Sequence, residues 1–261
     1  MTVSEHLGEL RRRILIVVVV LLVAAVILYV YSPQLIEFLI QPIEEYLPDG
    51  TSGDLNILDP MGGFTLRFKV AMVAAVLVTS PVWIWQILAF FLPALKPNER
   101  KWVVPTFFAG ILLFALGNVF CYYIILDPAF GWLLGQITEF ASIVADASQY
   151  IDLILMFELA FGIAFELPLV IFYLIVFEIV PYNKFRENWR IIYIVLMIVC
   201  AAVTPDASPV TMLLLYAAMV GLYELSLGLA KVVLRKKIKH EVDEDSESGD
   251  EGPGESEAEE A

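Results

Sequence analysis

The chain has 261 residues, of which 59% are hydrophobic, and its mean hydropathy is +0.78. An ordinary soluble domain is about 45–50% apolar, so this composition excludes a soluble globular fold and predicts a membrane protein with several spans. The net charge is -14, but residues 241–261 hold 11 of the 30 acids and no Lys or Arg, and without them 16 basic and 19 acidic residues leave a charge of -3.

Six apolar segments predict transmembrane helices, because about 20 residues are needed to cross ~30 Å of hydrocarbon. They are residues 14–31, 69–92, 103–126, 152–177, 191–203 and 209–229. The fifth has only 13 residues, and the sixth is interrupted by Glu224. Both must therefore thin the bilayer or be shielded by neighbouring helices.

The basic residues predict the orientation, because cytoplasmic loops retain Lys and Arg. Of the 16 basic residues, 14 lie at the two termini and in the second and fourth loops. The other two, Arg67 and Lys69, lie at the mouth of the second span. An even number of spans with both termini in the cytoplasm follows, and this pattern also disfavours a cleaved signal peptide at the N-terminus.

The first external loop, residues 32–65, is punctuated by Pro and Gly. It contains the amphipathic piece QLIEFLIQPIEEYL, which we expect to lie along the membrane surface as a cap. At the other end of the chain, residues 241–261 are rich in Glu, Ser and Gly and have almost nothing to bury. We expect a membrane domain over residues 1–240 and a disordered acidic tail over residues 241–261.

The sequence contains no Gly-rich phosphate loop, no cluster of His and Cys at ligand spacing, and no nucleophile with an obvious base. We therefore predict that the protein is not an enzyme and needs no metal or cofactor. Its two cysteines, Cys121 and Cys200, lie in apolar segments and are interpreted as small core residues.

Three acids lie at membrane depth, where an isolated carboxylate costs roughly 3 kcal/mol or more. Glu158 is about 9 Å from the outer end of its span, and a neutral, hydrogen-bonded or snorkelling carboxyl is favoured there. Glu224 lies close to the basic C-terminal stretch. Glu166 lies about 18 Å deep, and Pro168 follows it and should bend the helix.

Four motifs in this order resemble the TatC subunit of the twin-arginine translocase. They are HLGELRRR (residues 6–13), SPVWIWQILAFFLPALKPNERK (80–101), FGIAFELP (161–168) and TPD (204–206). The resemblance covers residues 4 to about 235. It implies a cup-like receptor of six helices, with short fifth and sixth helices, in the cytoplasmic membrane of a prokaryote. It also implies that the protein binds the twin-arginine signal peptides of folded cargo.

By the same resemblance, Glu9 and Glu99 match positions implicated in binding the arginine pair, Glu9 on a short amphipathic cytoplasmic helix and Glu99 in the first cytoplasmic loop. Arg11, Arg100 and Phe90 complete the predicted signal-peptide site. Two guanidinium groups require planar anionic acceptors, which carboxylates supply with bidentate geometry. From spacing alone, either glutamate could instead be a solvated acid paired with a neighbouring Arg.

Glu166 matches a family glutamate in the wall of the cup, where it is predicted to contact a partner helix. The alternative is an internal hydrogen bond that holds the bend at Pro168. The implied partners are single-span subunits of the TatA and TatB type, signal peptides and membrane lipid, in a multi-copy complex without nucleic acid.

Two other classes of function stay open at this point. A secondary transporter or channel would use the intramembrane carboxylates as an ion relay, although no internal repeat is visible. A structural membrane scaffold would explain the spans but not Glu9 together with Glu99.

Overall fold

The computed structural model describes residues 3–46, 57, 60–92, 100, 103–136, 146–176, 180–205 and 208–233. The secondary-structure elements of these described residues are helices. The α-helices are α1 (Val3–Val30), α2 (Ser32–Ile40), α3 (Gly62–Val78), α4 (Ser80–Phe91), α5 (Val103–Phe120), α6 (Leu126–Gly135), α7 (Ala147–Ala164), α8 (Leu167–Val176), α9 (Tyr182–Glu187), α10 (Trp189–Val203) and α11 (Pro209–Val233). A 3₁₀ segment, Gln41–Tyr46, follows α2, and a π turn, Cys121–Ile125, joins α5 to α6. The predicted acidic tail lies outside the described residues.

Four helices of the described part are long and apolar enough to cross a membrane: His6–Val30, Val103–Gly135, Ala147–Ile175 and Pro209–Val232. Helices α3 and α4 add a fifth span if the pair, which is bent by 53°, crosses as one. Helix α10 has only 15 residues. The all-helical prediction is confirmed, whereas six spans are not confirmed by length and composition.

The bend between α3 and α4 follows from Thr79 and Pro81. The Thr79 hydroxyl donates a hydrogen bond of 2.7 Å to the carbonyl of Ala75, and its backbone N–H donates to the same oxygen at 2.9 Å. Pro81 has no N–H, and its ring would collide with the carbonyl of Leu77 in a continuous helix. The chain therefore ends one helix and begins another within the predicted second span.

Helix α1 is continuous for 28 residues, so HLGELRRR is its first part. The prediction that Glu9 lies on a separate, short amphipathic helix is therefore wrong. No proline separates the two parts, and Glu, Leu and Arg are good helix formers that outweigh the single Gly8. Glu9 and Arg13 also form a favourable pair four residues apart.

The predicted third span, residues 103–126, continues as far as Gly135 through the π turn. Its predicted end comes just before Pro128, which normally ends a helix. A π turn lies directly before this proline, and in it the N–H of Leu126 bonds to the carbonyl of Cys121. This turn moves the preceding carbonyls out of the regular helical position. The chain therefore passes Pro128 without leaving the helical path.

The helix is interrupted just before Pro168, where a bend was predicted, although residues 147–175 still count as one candidate span. Helix α7 ends at Ala164 and α8 begins at Leu167, with Phe165 and Glu166 in the turn between them. Pro168 cannot donate to the carbonyl of Ala164, so the regular hydrogen-bond ladder stops there. The backbone N–H of Glu166 bonds instead to the carbonyl of Ile163 at 3.1 Å.

The larger hydrophobic core lies among the π turn and helices α6, α7, α8, α10 and α11. A smaller cluster joins α3 and α7, with residues of α2 packed against it. Cys121 and Cys200 are buried and form no disulfide, as predicted. Helix α1 contributes little, because Ala25 is its only buried hydrophobic residue among residues 6–30. Most of α1 is therefore open to lipid or to partner helices.

Candidate functional site

An ion pair links Glu9 and Arg13 near the start of α1. Oε1 of Glu9 accepts hydrogen bonds from Nε of Arg13 at 3.1 Å and from Nη2 of the same guanidinium. The remaining nitrogen, Nη1, donates to Oε1 of Gln86 on α4 at 3.1 Å. Arg13 therefore fixes the Glu9 carboxylate and also connects the first and second predicted spans.

The other carboxylate oxygen of Glu9 is not used by Arg13. Oε2 is buried and accepts no hydrogen bond from the residues that the structure describes. The side chains of Arg13 and Glu9 are only 22% and 23% exposed, so this ion pair is more shielded from water than a surface pair. A buried, unsatisfied carboxylate oxygen is a strong acceptor for an incoming N–H donor.

Aromatic side chains lie beside this acceptor. The ring of His6 stacks on the ring of Phe90, with centroids 4.3 Å apart and planes at 24°. Phe91 packs edge-on against Phe90 at 5.4 Å. We call His6, Glu9, Arg13, Gln86 and Phe90 the Glu9 cluster. It combines an anionic acceptor with an apolar surface at the junction of α1 and α4.

The structure separates Arg11 from this cluster. Arg11 and Arg12 are exposed and line a shallow groove along α1 with Leu15, Ile16 and Val19, and Arg11, two residues after Glu9, points away from Glu9 on the helix. Of the predicted signal-peptide residues, Glu9 and Phe90 are therefore brought to one region, and Arg11 is not. Arg100 is exposed, and Glu99 lies outside the described residues.

Three members of the Glu9 cluster were not predicted from the sequence. Arg13 lies four residues after Glu9, and this helical spacing was a usable signal for their pairing. His6 belongs to the same motif but carries no charge pattern that points to Phe90. Gln86 comes from α4 and contacts Arg13, which is 73 positions away in the sequence. No local sequence pattern predicts a contact between residues so far apart.

Glu166 lies in the turn between α7 and α8. Its Oε1 atom is buried and has no hydrogen-bond partner among the described residues, and its Oε2 atom is 3.5 Å from the position that a Cβ at Gly110 would occupy. An internal hydrogen bond from Oε1 to the described part of the chain is thus not observed. The carboxyl therefore faces α5 at Gly110.

Glu224, the third acid at depth, has ionic and neutral partners. It accepts hydrogen bonds from Nη1 of Arg186 at 3.1 Å and from the hydroxyl of Tyr193 at 2.7 Å. Arg186 lies on α9, next to the start of α10. The interfacial position predicted for Glu224 agrees with this pairing, which ties α9 and α10 to α11.

No group of His, Cys, Asp and Glu among the described residues could hold a metal ion. The described chain is thus a helical membrane protein with an ionic and aromatic cluster at one end of its first helix and unpaired carboxyls inside its bundle.

The sequence profile of the family described as "Sec-independent protein translocase protein (TatC)" matches residues 5–217. The TatC protein of Koribacter versatilis is 33% identical over 89% of this chain and 86% of its own length. That of Frankia casuarinae is 36% identical over 87% of this chain, which spans 65% of the relative. A crystal structure described as the twin-arginine translocase receptor TatC, in DDM, has a TM-score of 0.73 and 29% identity over 87% of this chain and 99% of its own.

The chain belongs to the TatC family. It is accordingly a non-enzymatic component of the Sec-independent, or Tat, pathway of protein translocation. Membership also implies a complex with other Tat subunits. A transporter of small solutes and a scaffold without a transport function are thereby set aside.

Proposed function

We propose that this chain is the receptor that binds twin-arginine signal peptides, and that the Glu9 cluster forms part of its binding site. The buried, unpartnered Oε2 atom of Glu9 is the observation that carries this proposal. The crystallised relative is itself described as a translocase receptor. The rest of the site is assigned to the loop of Glu99 and Arg100.

In the proposed complex, one guanidinium of the signal binds Oε2 of Glu9 while Arg13 stays on Oε1. The second guanidinium binds Glu99. Two carboxylates for two guanidiniums match both charge and planar geometry, and charge-assisted hydrogen bonds of this kind are worth about 1.5–3 kcal/mol. Phe90, stacked on His6, offers an apolar surface to the segment that follows the arginines.

The basic residues are assigned supporting roles. Arg100, adjacent to Glu99, orients that carboxylate or contacts the backbone of the signal. Arg11 lies on the opposite face of α1, so it acts at longer range, by holding the end of α1 at the lipid headgroups. Neither is assigned a direct contact with the arginine pair.

The proposed architecture is a six-span cup with both termini in the cytoplasm of a prokaryote. Helices α3 and α4 together form the second span and α10 the fifth. A helix of 15 residues is about 22 Å long, short of the ~30 Å hydrocarbon layer, so the bilayer thins around α10. Single cysteines test the orientation: those at positions 52 and 136 should react with an impermeant thiol reagent from outside, and those at 98 and 183 should not.

Glu166 is proposed to be the docking point for a single-span partner of the TatA or TatB type, in a multi-copy complex. A carboxyl at this depth must be neutral or hydrogen-bonded, and a polar residue at matching depth on a partner helix would satisfy Oε1. Interhelical hydrogen bonds in membranes average about 0.6 kcal/mol, so such a contact allows partners to exchange. The tail of residues 241–261 is proposed to be a separate disordered segment outside this assembly.

The binding site is tested with purified protein in nanodiscs and a labelled signal peptide carrying Arg-Arg or Lys-Lys. The wild type should bind the Arg-Arg peptide and discriminate against Lys-Lys, because an ammonium group cannot form the bidentate pair. Glu9→Gln should lose that discrimination. Glu187→Gln, which changes an exposed acid of α9, is the matched control and should bind as the wild type does. Equal affinity of the wild type for the two peptides would exclude the proposal.

A further inference from the structure

The shallow groove along α1 changes character from one end to the other. Its lining residues repeat at helical spacing: Gly8, Arg11, Arg12, Leu15, Ile16, Val19 and Val20. Residues three and four apart are neighbours on a helix surface, so Leu15 follows Arg11 and Ile16 follows Arg12 along the same face. The groove therefore has a basic end beside Gly8 and an apolar end at Val19 and Val20. We call it the α1 groove.

Gly8 leaves room at the basic end. A Cβ at Gly8 would meet no atom within 4 Å. Side chains of a helix lean toward its N-terminus, so Arg11 and Arg12 extend toward the turn that contains Gly8. Successive helical residues are about 100° apart, which places Gly8, three and four residues earlier, between the two arginines. A small anionic group can therefore lie at Gly8 within reach of both guanidiniums.

Arg11 and Arg12 supply two positive charges at this end. Both residues are exposed, and neither forms an ion pair with a described side chain. Arg13 differs, because its guanidinium is held by Glu9 and Gln86. Guanidinium groups bind phosphate through paired, charge-assisted hydrogen bonds. The basic end therefore has the chemistry of a phosphate site.

The apolar end lies at membrane depth. Leu15 and Val19 are 54% and 57% exposed, and the first apolar segment of the sequence begins at residue 14. From Arg12 to Val20 the helix rises about 12 Å, which is most of the ~15 Å that half of the hydrocarbon layer measures. One acyl chain of a single leaflet therefore fits along this stretch.

We propose that the α1 groove binds one anionic phospholipid. The lipid phosphate lies at Gly8 between Arg11 and Arg12, and one acyl chain runs along Leu15 and Val19. The groove has a volume of about 430 Å³, within the range of ~300–1,000 Å³ that is usual for small-molecule sites. In the proposed orientation of α1, the lipid comes from the cytoplasmic leaflet, where anionic lipids attract basic residues.

Other occupants match one end of the α1 groove but not both. The tail of residues 241–261 supplies 11 acids but almost no apolar side chains. An apolar transmembrane helix, from a second copy or from a partner, would cover Leu15 and Val19 but leave the two guanidiniums without an anion. A phospholipid carries phosphate and hydrocarbon in this order and at these depths, so charge and depth together favour it.

Photocrosslinking of the full chain in phosphatidylcholine nanodiscs tests this proposal. The probe is phosphatidylglycerol with a diazirine in one acyl chain, and the comparison is the same probe with a phosphatidylcholine headgroup. Yields are compared at a low mole fraction of probe, where they follow affinity. The anionic probe should label residues 14–20 of the wild type saturably and at least about fivefold more strongly, since each arginine near an anionic lipid raises affinity about fivefold.

Two variants should lose this labelling. Gly8→Leu fills the space for the phosphate without meeting protein atoms and keeps a good helix former, so the yield should fall at least about fivefold. Arg11→Gln combined with Arg12→Gln should lower it to the level of the phosphatidylcholine probe. If this double variant fails to insert, Gly8→Leu decides, because it keeps every charge.

The matched control is Lys184→Gln combined with Arg190→Gln, which removes two exposed basic residues from α9 and α10. It should label as the wild type does. An equal loss in this control would mean general attraction of basic residues for anionic lipid and would overturn the site. Equal labelling of the wild type by the two probes, or undiminished labelling of Gly8→Leu, would do the same.

Two further measurements distinguish the other occupants. A full-length variant in which the 11 acids of residues 241–261 are changed to Gln or Asn should label as the wild type does. A severalfold increase would assign the α1 groove to the tail instead. Labelling should also be the same in nanodiscs that hold one or two copies of the chain, and a severalfold decrease with two copies would assign the groove to a second copy.

Discussion

Glu9 of the Glu9 cluster and the two acids inside the helix bundle, Glu158 and Glu166, are the same residue type but have opposite surroundings. Glu9 is held by a guanidinium at the end of α1, whereas Glu158 and Glu166 lie inside the bundle without an ion pair to a described residue. A carboxylate with a cation close to water stays charged and can exchange one cation for another. A carboxyl inside the membrane must be neutral or hydrogen-bonded. The first environment suits the reading of a charged signal, and the second suits neutral contacts between helices.

Charge reversal in the Glu9 cluster should have the largest effect. Glu9→Lys places an ammonium beside Arg13 and removes the acceptor, so affinity for an Arg-Arg peptide should fall by more than about 3 kcal/mol, over a hundredfold. Glu9→Ala should lose about 1–3 kcal/mol, since it removes the acceptor without adding repulsion. Fluorescence anisotropy at low salt measures both. The control is Glu187→Lys, and an unchanged affinity for Glu9→Lys would locate the site elsewhere.

The close packing of α5 on α7 predicts that a larger residue at Gly117 changes the stability of the protein rather than its binding of signals. Gly117→Ala puts a methyl group 2.8 Å from the backbone oxygen of Phe161, which cannot rotate away as a side chain can. The free energy of unfolding should fall by about 1–3 kcal/mol, measured by denaturation in detergent. Gly221→Ala meets nothing within 4 Å and should be neutral or slightly stabilising. Equal stability of the two variants would show that the helices are not in close contact at Gly117.

The sequence predicted the apolar helices better than the contacts between them. Hydropathy identified the segments that became α5, α7 and α11, and the proline at position 168 predicted the break before α8. The sequence did not predict the bend at Thr79, because a single proline inside a long apolar segment does not reveal whether the helix kinks or stops. The resemblance of HLGELRRR to the family motif predicted Glu9 as a functional acid, but the contacts of Gln86 with Arg13 and of Phe90 with His6 arise only from the packing of α4 on α1. The close contact of Asn118 with Gly162 was not identified either, since it joins two different helices.

The docking role of Glu166 predicts a smaller effect, which separates it from an internal role. Glu166→Gln should keep most partner association, because an amide both donates and accepts. Glu166→Ala should leave the protein folded and able to bind signals. Its free energy of association with a single-span partner should weaken by about 1 kcal/mol, at most ~2. Site-specific crosslinking in membranes measures this loss. If Glu166→Ala lowers the melting temperature in detergent and leaves crosslinking intact, the carboxyl serves the fold alone.

The smallest expected effect is a gain in affinity, and it tests whether Arg13 competes with the signal. Arg13 occupies Oε1 of Glu9 with two nitrogens, so its charge partly neutralises the carboxylate that the signal would bind through Oε2. Arg13→Gln frees this oxygen and leaves an amide near Gln86. Affinity for the Arg-Arg peptide should then rise by up to about 1 kcal/mol, roughly fivefold, in line with the strength of a partly exposed ion pair. The gain should shrink at high salt, because added ions screen the unpaired carboxylate. Arg12→Gln changes a neighbouring, exposed arginine that makes no hydrogen bond to Glu9 in the described structure, and it should produce no gain. A loss of affinity in Arg13→Gln would mean that Arg13 positions Glu9 for the signal rather than competing with it.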